Sequence, residues 1–516
     1  MLSPSETSPV RYNRSWRDPI VIVAATIILI VELIVVWRAL PRALDHDEGE
    51  HLRAAAWMAS GKTLYRDFVE NHTPFLYLIL APLAPDGTQS NDVVATRHYA
   101  VVARILSATA GIAAVLFIAA CASRLAGDPF AALPVLASLL ATSWTWLRGL
   151  ADVRSEPYTL LLFWAGALLV MCAGSVSRRA ILVAGAGIGL IAIADLWNPK
   201  WPLESLVFLG LYTAYLYRLR RSGMDILASV AIAGTLPFIA LAIALRVTTL
   251  RDLEFFCFTY ASAISHWYRG AAVAASEFSG AAGGFAFSPS WLMPWVAALA
   301  AGVAMVIAMR RRWPQFAVPI LLVSASTVEV LLVYPYPHLW PQYLVMWACV
   351  VSLLAGVVIA GLAAGRQVRT ILAAVIVASF VAHEWKHATT VSGERHWQTM
   401  SDLQHRLATG EAAWVRPEVL PTAAPAGSYY WYAFADQVPF SIGYGDSSAA
   451  KGFLPSVRDE DLPPCRILSG TDNEHVRLLD GRAVRNLPAS KRCMQQLLGQ
   501  GRLRQIANTP VWEVIR

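Results

Sequence analysis

The chain has 516 residues, of which 56% are hydrophobic and only 15% are charged, and its mean hydropathy is +0.48. This composition is too apolar for an ordinary soluble domain and indicates a polytopic membrane protein. The formal charge of +7 could suggest nucleic-acid binding, but the Lys and Arg residues form short clusters between apolar runs. That pattern is typical of membrane topology and argues against a nucleic-acid partner.

The apolar runs predict a mainly α-helical protein with about eleven membrane spans, because one span needs roughly 20 mostly apolar residues. The runs are 20–38, 98–120, 129–147, 157–174, 180–196, 201–217, 225–246, 290–309, 315–334, 341–363 and 370–384. We therefore expect a membrane domain at 20–387. No cleavage site follows the first run, so residues 1–19 are predicted to be a cytoplasmic tail.

The distribution of arginine predicts the orientation of these spans. Basic residues mark every second connection, and such clusters face the cytoplasm in multi-pass proteins. They are Arg11, Arg14, Arg17, Arg124, Arg178, Arg179, Arg218, Arg220, Arg221, Arg310, Arg311, Arg312, Arg366 and Arg369. We therefore expect an inner-membrane protein with its N-terminus inside, and with loop 41–97 and everything after residue 387 outside.

Residues 388–516 are polar, contain interspersed Pro and Gly, and predict a small extracytoplasmic α/β domain. The patterns indicate strands at 428–434 and 510–516 and a helix at 490–500. Two cysteines, Cys465 and Cys493, lie in this domain. An oxidising compartment favours a disulfide between them, and two free thiols are the alternative.

An acidic cluster follows the first span. Four carboxylates and one histidine fall within six residues, namely Asp45, His46, Asp47, Glu48 and Glu50. A helix is expected to begin near Asp47 and to end at Ser60, Gly61 and Lys62. One interpretation is a juxtamembrane helix at the outer face whose acids only cap its N-terminus. The other is a site at the membrane surface.

A second outer loop, with the sequence Asp-Val-Arg-Ser-Glu-Pro, favours the site. It places Asp152, Arg154 and Glu156 directly before a span. Carboxylates from two loops can hold a divalent metal, with Asp47 and Glu156 as ligands. Alternatively, one carboxylate serves as a general base while the other orients an acceptor.

A phosphate leaving group would need a cation to compensate its developing charge. Lys200, between Trp197 and Trp201, is the best candidate, although a snorkelling membrane anchor is an equal alternative. Weaker candidates are Arg97, Arg104 and Arg269.

Three further polar side chains are candidate substrate contacts. His72 can donate to a phosphate or accept a proton near neutral pH. Tyr336 and His338, in the aromatic stretch 334–343, are expected at the outer surface. One of them contacts a sugar or a lipid headgroup, or alternatively both are anchors at the membrane interface.

These motifs, taken in order, resemble the GT-C class of integral-membrane glycosyltransferases, in the bacterial branch related to protein O-mannosyltransferases and the lipid A aminoarabinose transferase. The resemblance covers about residues 20–365. It rests on DEGEH at 47–51, GKTLYRDFVENHTPFLYLILAP at 61–82, VRSEP at 153–157, LRDLEFFCFTY at 250–260 and YPYPHLWPQY at 334–343.

The resemblance implies roles for individual residues. Asp47 is the catalytic or metal-associated acid, and Glu48 supports it. Arg154 and Glu156 match the second catalytic loop, in which many relatives have Asp at the position of Glu156, so Asp152 is an alternative second acid. Lys200 resembles the basic position near the lipid phosphate.

The resemblance also implies the reaction: inverting transfer of a sugar from a polyprenyl-phosphate donor to a lipid, polysaccharide or protein acceptor on the outer face of the membrane. A divalent metal is the one cofactor expected. Two other functions stay open at this point. They are a transporter or flippase of lipid-linked envelope precursors and a non-catalytic membrane scaffold.

Overall fold

A computed structural model describes most of the chain, and its described residues form two compact units. The described ranges are 18–85, 92–141, 152–173, 177–219, 223–264, 313–332, 344–363, 365–388, 393–407, 412–416, 419–421, 438–454, 458–471, 476–482 and 487–515. The first unit comprises Met1–Ala39, Ser107–Leu241 and Ala274–Val391. The second comprises Leu40–Leu106, Ala242–Val273 and Ser392–Arg516.

Helices dominate the described part of the chain. In chain order they are α1 Pro19–Ala39, α2 His46–Ala59, α3 Phe75–Leu80, α4 Val93–Ala126, α5 Ala132–Ala141, α6 Glu156–Cys172, α7 Arg178–Trp197, α8 Pro202–Leu219, α9 Gly223–Ala244, α10 Leu250–Glu254, α11 Trp313–Leu332, α12 Val345–Leu362, α13 Arg366–Ala388, α14 Glu394–Gln404, α15 Val438–Gly445, α16 Pro463–Ser469 and α17 Pro488–Gly499. A π-helical turn, Phe255–Tyr260, extends α10.

Six of these helices are long and apolar enough to cross a membrane, which confirms a polytopic membrane protein. They are Pro19–Ala39, Val93–Ala126, Arg178–Trp197, Met224–Ala244, Val345–Leu362 and Arg366–Trp385. Every run predicted from the sequence overlaps a helix except 290–309, which lies outside the described residues. Residues 142–147 of the run at 129–147 also lie outside them. The count of about eleven spans and the orientation of the termini stay predictions.

The core of the first unit consists of apolar side chains from many of its helices. Helix α12 is buried along most of its length, and Trp164, Phe163 and Phe208 are large side chains with no exposed surface. Helices α6 and α7 pack so closely that a Cβ atom at Gly166 would collide with the carbonyl oxygen of Gly187. Small residues permit this approach between apolar helices.

The C-terminal part of the second unit contains a four-stranded sheet. The strands are β1 Ala412–Trp414, β2 Val476–Asp480, β3 Leu503–Gln505 and β4 Val511–Val514, in the spatial order β1-β2-β4-β3. Strands β1 and β2 run parallel, and the other pairs are antiparallel. Leu479, Met494 and Leu497 join sheet and helices in one apolar cluster.

The mixture of strands and helices predicted for the C-terminal part is therefore present, but this part forms one unit with Leu40–Leu106 and Ala242–Val273. A separate domain at 388–516 stays a prediction. The expected helix at 490–500 corresponds to α17, and the expected strand at 510–516 contains β4, whereas 428–434 lies outside the described residues. Cys465 of α16 and Cys493 of α17 form a disulfide with an S–S distance of 2.06 Å.

The segment that follows α1 is anchored on this C-terminal part, within the second unit. Arg53 of α2 donates to the carbonyl oxygens of Val415 and Leu420, both at 2.9 Å. The indole nitrogen of Trp397 donates to the carbonyl oxygen of Pro41 at 2.7 Å. The helix that carries the acidic cluster is thus held by residues more than 300 positions away in the sequence.

Removal of the disulfide should destabilise the second unit. It closes a loop across 28 positions, and a loop of this size stabilises the folded state by roughly 3 kcal/mol through lost chain entropy in the unfolded state. We expect Cys465→Ser/Cys493→Ser to unfold at a lower temperature, as measured by differential scanning fluorimetry. Cys172→Ser, which removes an exposed free thiol, is the control. An equal midpoint for the double variant and the control would contradict the expectation.

Candidate active site

The acidic cluster forms the N-terminus of α2, where a capping box fixes the first turn. The Asp45 carboxylate accepts a hydrogen bond from the backbone N–H of Asp47 at 3.0 Å. In return, Glu48 accepts from the backbone N–H of Asp45 at 3.1 Å. This reciprocal pattern satisfies two donors that a helix start otherwise leaves open. Two of the four clustered acids therefore determine where the helix begins.

Glu48 also forms a buried, bidentate ion pair with Arg104 of α4. The guanidinium donates from Nε to Oε1 at 2.8 Å and from Nη2 to Oε2 at 2.6 Å, and neither side chain is exposed. Arg42 adds a bond of 3.2 Å to Oε1. Burial alone would raise the pKa of Glu48, but the two arginines hold it far below its ordinary value. Glu48 is therefore a fixed anion.

The remaining donors of Arg104 hold the chain that leads into α2. They reach the carbonyl oxygens of Leu40 at 2.6 Å, Arg42 at 2.9 Å and Ala43 at 3.0 Å. Arg104, a weaker sequence candidate for binding phosphate, is thus occupied by Glu48 and the backbone. The geometry gives both residues the task of positioning the first turn.

Asp47 is the half-buried carboxylate that this arrangement presents. It lies in the first turn of α2. Negative charge at a helix N-terminus is stabilised by the helix dipole and by unpaired backbone N–H groups. The capping box and the Glu48–Arg104 pair hold the turn that carries Asp47, which is itself half-buried.

A buried polar network follows α2, and the sequence did not predict it. Glu70 accepts from Nδ1 of His72 at 2.6 Å and from the backbone N–H of Asn71 at 2.8 Å. The hydroxyl of Tyr77 interacts with Glu70 and lies 3.1 Å from Nδ1 of His51. The rings of His51 and His72 are 4.8 Å apart. Glu70, Tyr77 and His51 are buried, whereas 27% of the His72 side chain is exposed.

The charge states in this network follow from burial and partners. Burial would raise the pKa of Glu70, but His72, His51 and the N–H of Asn71 lower it overall. Burial, together with the carboxylates of Glu70 and Glu50, holds the pKa of Tyr77 well above its ordinary value. The phenol therefore keeps its proton while Glu70 carries a charge. His72, predicted to contact substrate, is held in place by Glu70.

In the first unit, two sequence-predicted residues form an ion pair. Nζ of Lys200 lies 2.5 Å from Oε1 of Glu156 at the N-terminus of α6. Asn198 donates to Oγ of Ser155 at 2.9 Å, next to that pair. Glu156 is almost fully buried, whereas 20% of the Lys200 side chain is exposed. The accessible member of the pair is the cation.

Arg154 and Asp152, in the loop before α6, also form an ion pair with each other. Nε of Arg154 lies 3.6 Å from Oδ2 of Asp152, and both side chains are buried. Each carboxylate in the loop thus has a cationic neighbour. Such a donor set fits a divalent ion poorly, because the cations compete for the same oxygens. Among the described residues, no group of three or more His, Cys, Asp or Glu side chains is placed to hold a metal.

The predicted site residues are therefore distributed over both units. Asp47, Glu48 and His72 belong to the second unit, and Asp152, Arg154, Glu156 and Lys200 belong to the first. Arg269, Tyr336 and His338 lie outside the described residues. The joint use of both loops stays a prediction, as does the divalent metal.

Comparison with known proteins shows the fold. No protein-family model and no curated protein matches the sequence. ArnT from Cupriavidus metallidurans bound to undecaprenyl phosphate aligns over 96% of this chain and 97% of its own, at 13% identity and a TM-score of 0.55. Its apo state aligns over 78% and 83%, at 14% identity and a TM-score of 0.50. The arabinosyltransferase EmbB from Mycobacterium smegmatis aligns over 82% of this chain and 41% of its own, at 14% identity and a TM-score of 0.45.

The two ArnT alignments confirm the fold expected from the sequence motifs. ArnT is a GT-C glycosyltransferase, and the chain has the GT-C fold along nearly its whole length. At this identity the likeness concerns the fold alone. The fold does not determine the chemistry, which depends on the residues of the site.

Glu70 should make stability depend on acidic pH. Its pKa is lowered in the folded protein, so its contribution is fully present above the unfolded pKa near 4.5 and is lost as the pH falls through the folded value. Glu70→Gln should destabilise the protein by roughly 1.5–3 kcal/mol at pH 7. It should also flatten the decline of the thermal midpoint below pH 4.5.

Thermal unfolding from pH 7 to pH 3 tests this expectation. Glu394→Gln is a matched control, because Glu394 is 70% exposed and pairs with Arg97 at the surface. Parallel pH curves for Glu70→Gln and wild type would refute the assigned charge.

Proposed function

We propose that this protein is an inverting membrane glycosyltransferase. It moves a sugar from a polyprenyl-phosphate donor to a hydroxyl of a lipid, polysaccharide or protein acceptor. The reaction takes place at the outer face of the cytoplasmic membrane, and the C-terminal part of the chain lies on that side.

The observation that carries the proposal is the ion pair between Lys200 and Glu156. Ionisable residues are costly near the membrane interior, and where they occur beside apolar helices they mark functional sites. Here a partly exposed ammonium stands between the apolar helices α7 and α8, with a buried carboxylate to orient it. A cation in this place suits a phosphate whose hydrocarbon chain lies in the bilayer.

The fold supports the same donor class. The ArnT structure that aligns over nearly the whole chain contains bound undecaprenyl phosphate, a polyprenyl phosphate. A polyprenyl-linked donor also agrees with the apolar helices of this protein, because the hydrocarbon chain of the donor lies in the bilayer beside them. It removes the need for a nucleotide sugar outside the cell.

Asp47 acts as the base in this proposal. Its carboxylate takes the proton from the acceptor hydroxyl while the oxygen forms a bond to C1 of the sugar. The bond from C1 to the phosphate oxygen breaks on the opposite side, which inverts the configuration. The capping box and the Glu48–Arg104 pair keep the first turn of α2 from shifting as the charge moves.

Lys200 stabilises the departing phosphate. Glu156 accepts a hydrogen bond from the ammonium of Lys200. In the proposed complex a phosphate oxygen binds the same ammonium beside Glu156, since an ammonium carries three N–H donors. The polyprenyl phosphate leaves with the electron pair of the broken bond, and the ammonium compensates its negative charge. Glu156 orients Lys200, while Arg154 and Asp152 complete the charged loop. The divalent metal predicted from the sequence stays a separate proposal, which chelation by EDTA would test.

Transfer from polyprenyl-phosphate sugars to envelope acceptors tests these roles. Asp47→Asn should lower kcat about 100-fold to 10,000-fold, because a positioned general base supplies that much of the rate. Lys200→Gln should lower kcat about 100-fold, as expected when charge compensation in the transition state is lost. Glu156→Gln should give a smaller loss than Lys200→Gln.

Lys491→Gln is the control for charge, because Lys491 is exposed on α17. Mass spectrometry of the acceptors with and without the protein identifies the sugar by its mass. Full activity in both Asp47→Asn and Glu156→Gln would contradict the site assignment.

A further inference from the structure

Three arginines surround one buried glutamate at the C-terminal sheet. Glu513 of β4 accepts from Arg477 at 2.6 Å through Oε1, and from Arg504 at 2.6 Å and Arg406 at 3.2 Å through Oε2. Its side chain is 5% exposed, whereas those of Arg477, Arg406 and Arg504 are 28%, 39% and 64% exposed. The cations form the outer part of the cluster.

The sheet holds this cluster in place. Arg504 of β3 is the direct partner of Glu513 in the antiparallel pair of β3 and β4. Arg477 lies in β2, one residue before Leu478, which is the partner of Glu513 on the other side. Arg406 follows the end of α14. Separate elements thus direct their guanidinium groups at one point.

The charges in this cluster do not balance. Three guanidinium groups face one carboxylate, so two positive charges remain among these four residues. Burial opposes ionisation of Glu513, but the arginines lower its pKa overall, so the carboxylate stays charged. The cluster keeps its excess positive charge throughout the neutral pH range, because arginine does not lose its proton there.

Donor groups also remain available. Each guanidinium has five N–H donors in a planar fork. In the described part of the chain, Arg504 and Arg406 each direct one hydrogen bond to Glu513, and Arg477 directs one to Glu513 and one to the carbonyl oxygen of Val514. The Nε group of Arg477 is buried and has no hydrogen-bond partner among the described residues.

We propose that Arg406, Arg477 and Arg504 form an oxyanion-binding site on the C-terminal sheet, with a phosphate group as its ligand. Arginine forks match the oxygen geometry of phosphate and bind it by paired, charge-assisted hydrogen bonds. The excess positive charge attracts an anionic phosphate group. The phosphate is carried by a soluble or glycan-linked ligand, or it belongs to a lipid headgroup. This site is independent of the transfer reaction proposed above.

Binding to the purified full-length protein tests the proposal. In one arm the protein is held in phosphatidylcholine nanodiscs and titrated with pyrophosphate, with sodium chloride of equal ionic strength as the reference. In the other arm no phosphate is added, and the nanodiscs contain phosphatidylglycerol instead. Saturable binding of pyrophosphate assigns the site to a soluble or glycan-linked phosphate. Stabilisation of the folded protein by phosphatidylglycerol, without binding of pyrophosphate, assigns it to a lipid headgroup.

Two variants are expected to change the affinity for phosphate in opposite directions. Arg504→Gln should weaken binding about tenfold, the cost of one charge-assisted hydrogen bond. Glu513→Gln removes the competing carboxylate and should tighten binding about tenfold. Arg492→Gln, an exposed arginine of α17 in the same unit, should change nothing.

The proposal fails if neither arm differs from its reference, or if Arg504→Gln and Arg492→Gln weaken binding equally. If Glu513→Gln does not fold, the difference between Arg504→Gln and Arg492→Gln still decides the question. Transfer activity is not a readout here, so this proposal and the proposed function can fail separately.

Discussion

The buried ion pair of Glu48 and Arg104 determines the shape of the candidate catalytic loop. Taking two charges out of water is costly, and the cost is recovered only when the geometry is good and the remaining donors are satisfied. Both conditions hold, because the pair is bidentate and Arg104 also binds three backbone carbonyl groups. Loss of either partner would leave an uncompensated buried charge. The start of α2, and therefore the position of Asp47, depends on this pair.

The charged residues differ in role according to their burial. The buried carboxylates hold structure: Glu48 fixes the first turn of α2, Glu70 fixes His72 and Tyr77, and Glu156 orients Lys200. The residues that keep some exposure, namely Asp47, His72 and Lys200, are the ones able to meet a substrate. Under the proposed function, the accessible groups act on the substrate and the buried groups keep them in position.

Hydropathy and local chemistry predicted much of this protein correctly. Apolar runs marked the helices, Gly61 ended α2 with a positive φ of 87°, and the compartment expected for Cys465 and Cys493 favoured the disulfide that is present. These features depend on neighbouring residues or on the solvent, which a sequence displays directly. The motifs at 47–51 and 153–157 also pointed to the correct fold.

Pairings between distant residues could not be predicted. Arg104 lies 56 residues from Glu48, and Arg53 lies 362 residues from Val415, so no local pattern links them. The sequence therefore treated Glu48 as support for catalysis and Arg104 as a phosphate candidate, where the structure joins them. The contact between Tyr77 and Glu70 was not predicted for the same reason. Packing brings the two side chains together, and no local sequence pattern indicates it.

The most direct test of this account compares the thermal midpoint of Glu48→Gln with that of Asp47→Asn. Breaking a buried ion pair on one side costs about 3–5 kcal/mol, whereas a half-buried carboxylate in the first turn contributes under about 1 kcal/mol. The account predicts a large drop in the midpoint for Glu48→Gln and a midpoint near that of wild type for Asp47→Asn. A thermal midpoint for Glu48→Gln equal to that of wild type, or a large drop in the midpoint for Asp47→Asn, would contradict it.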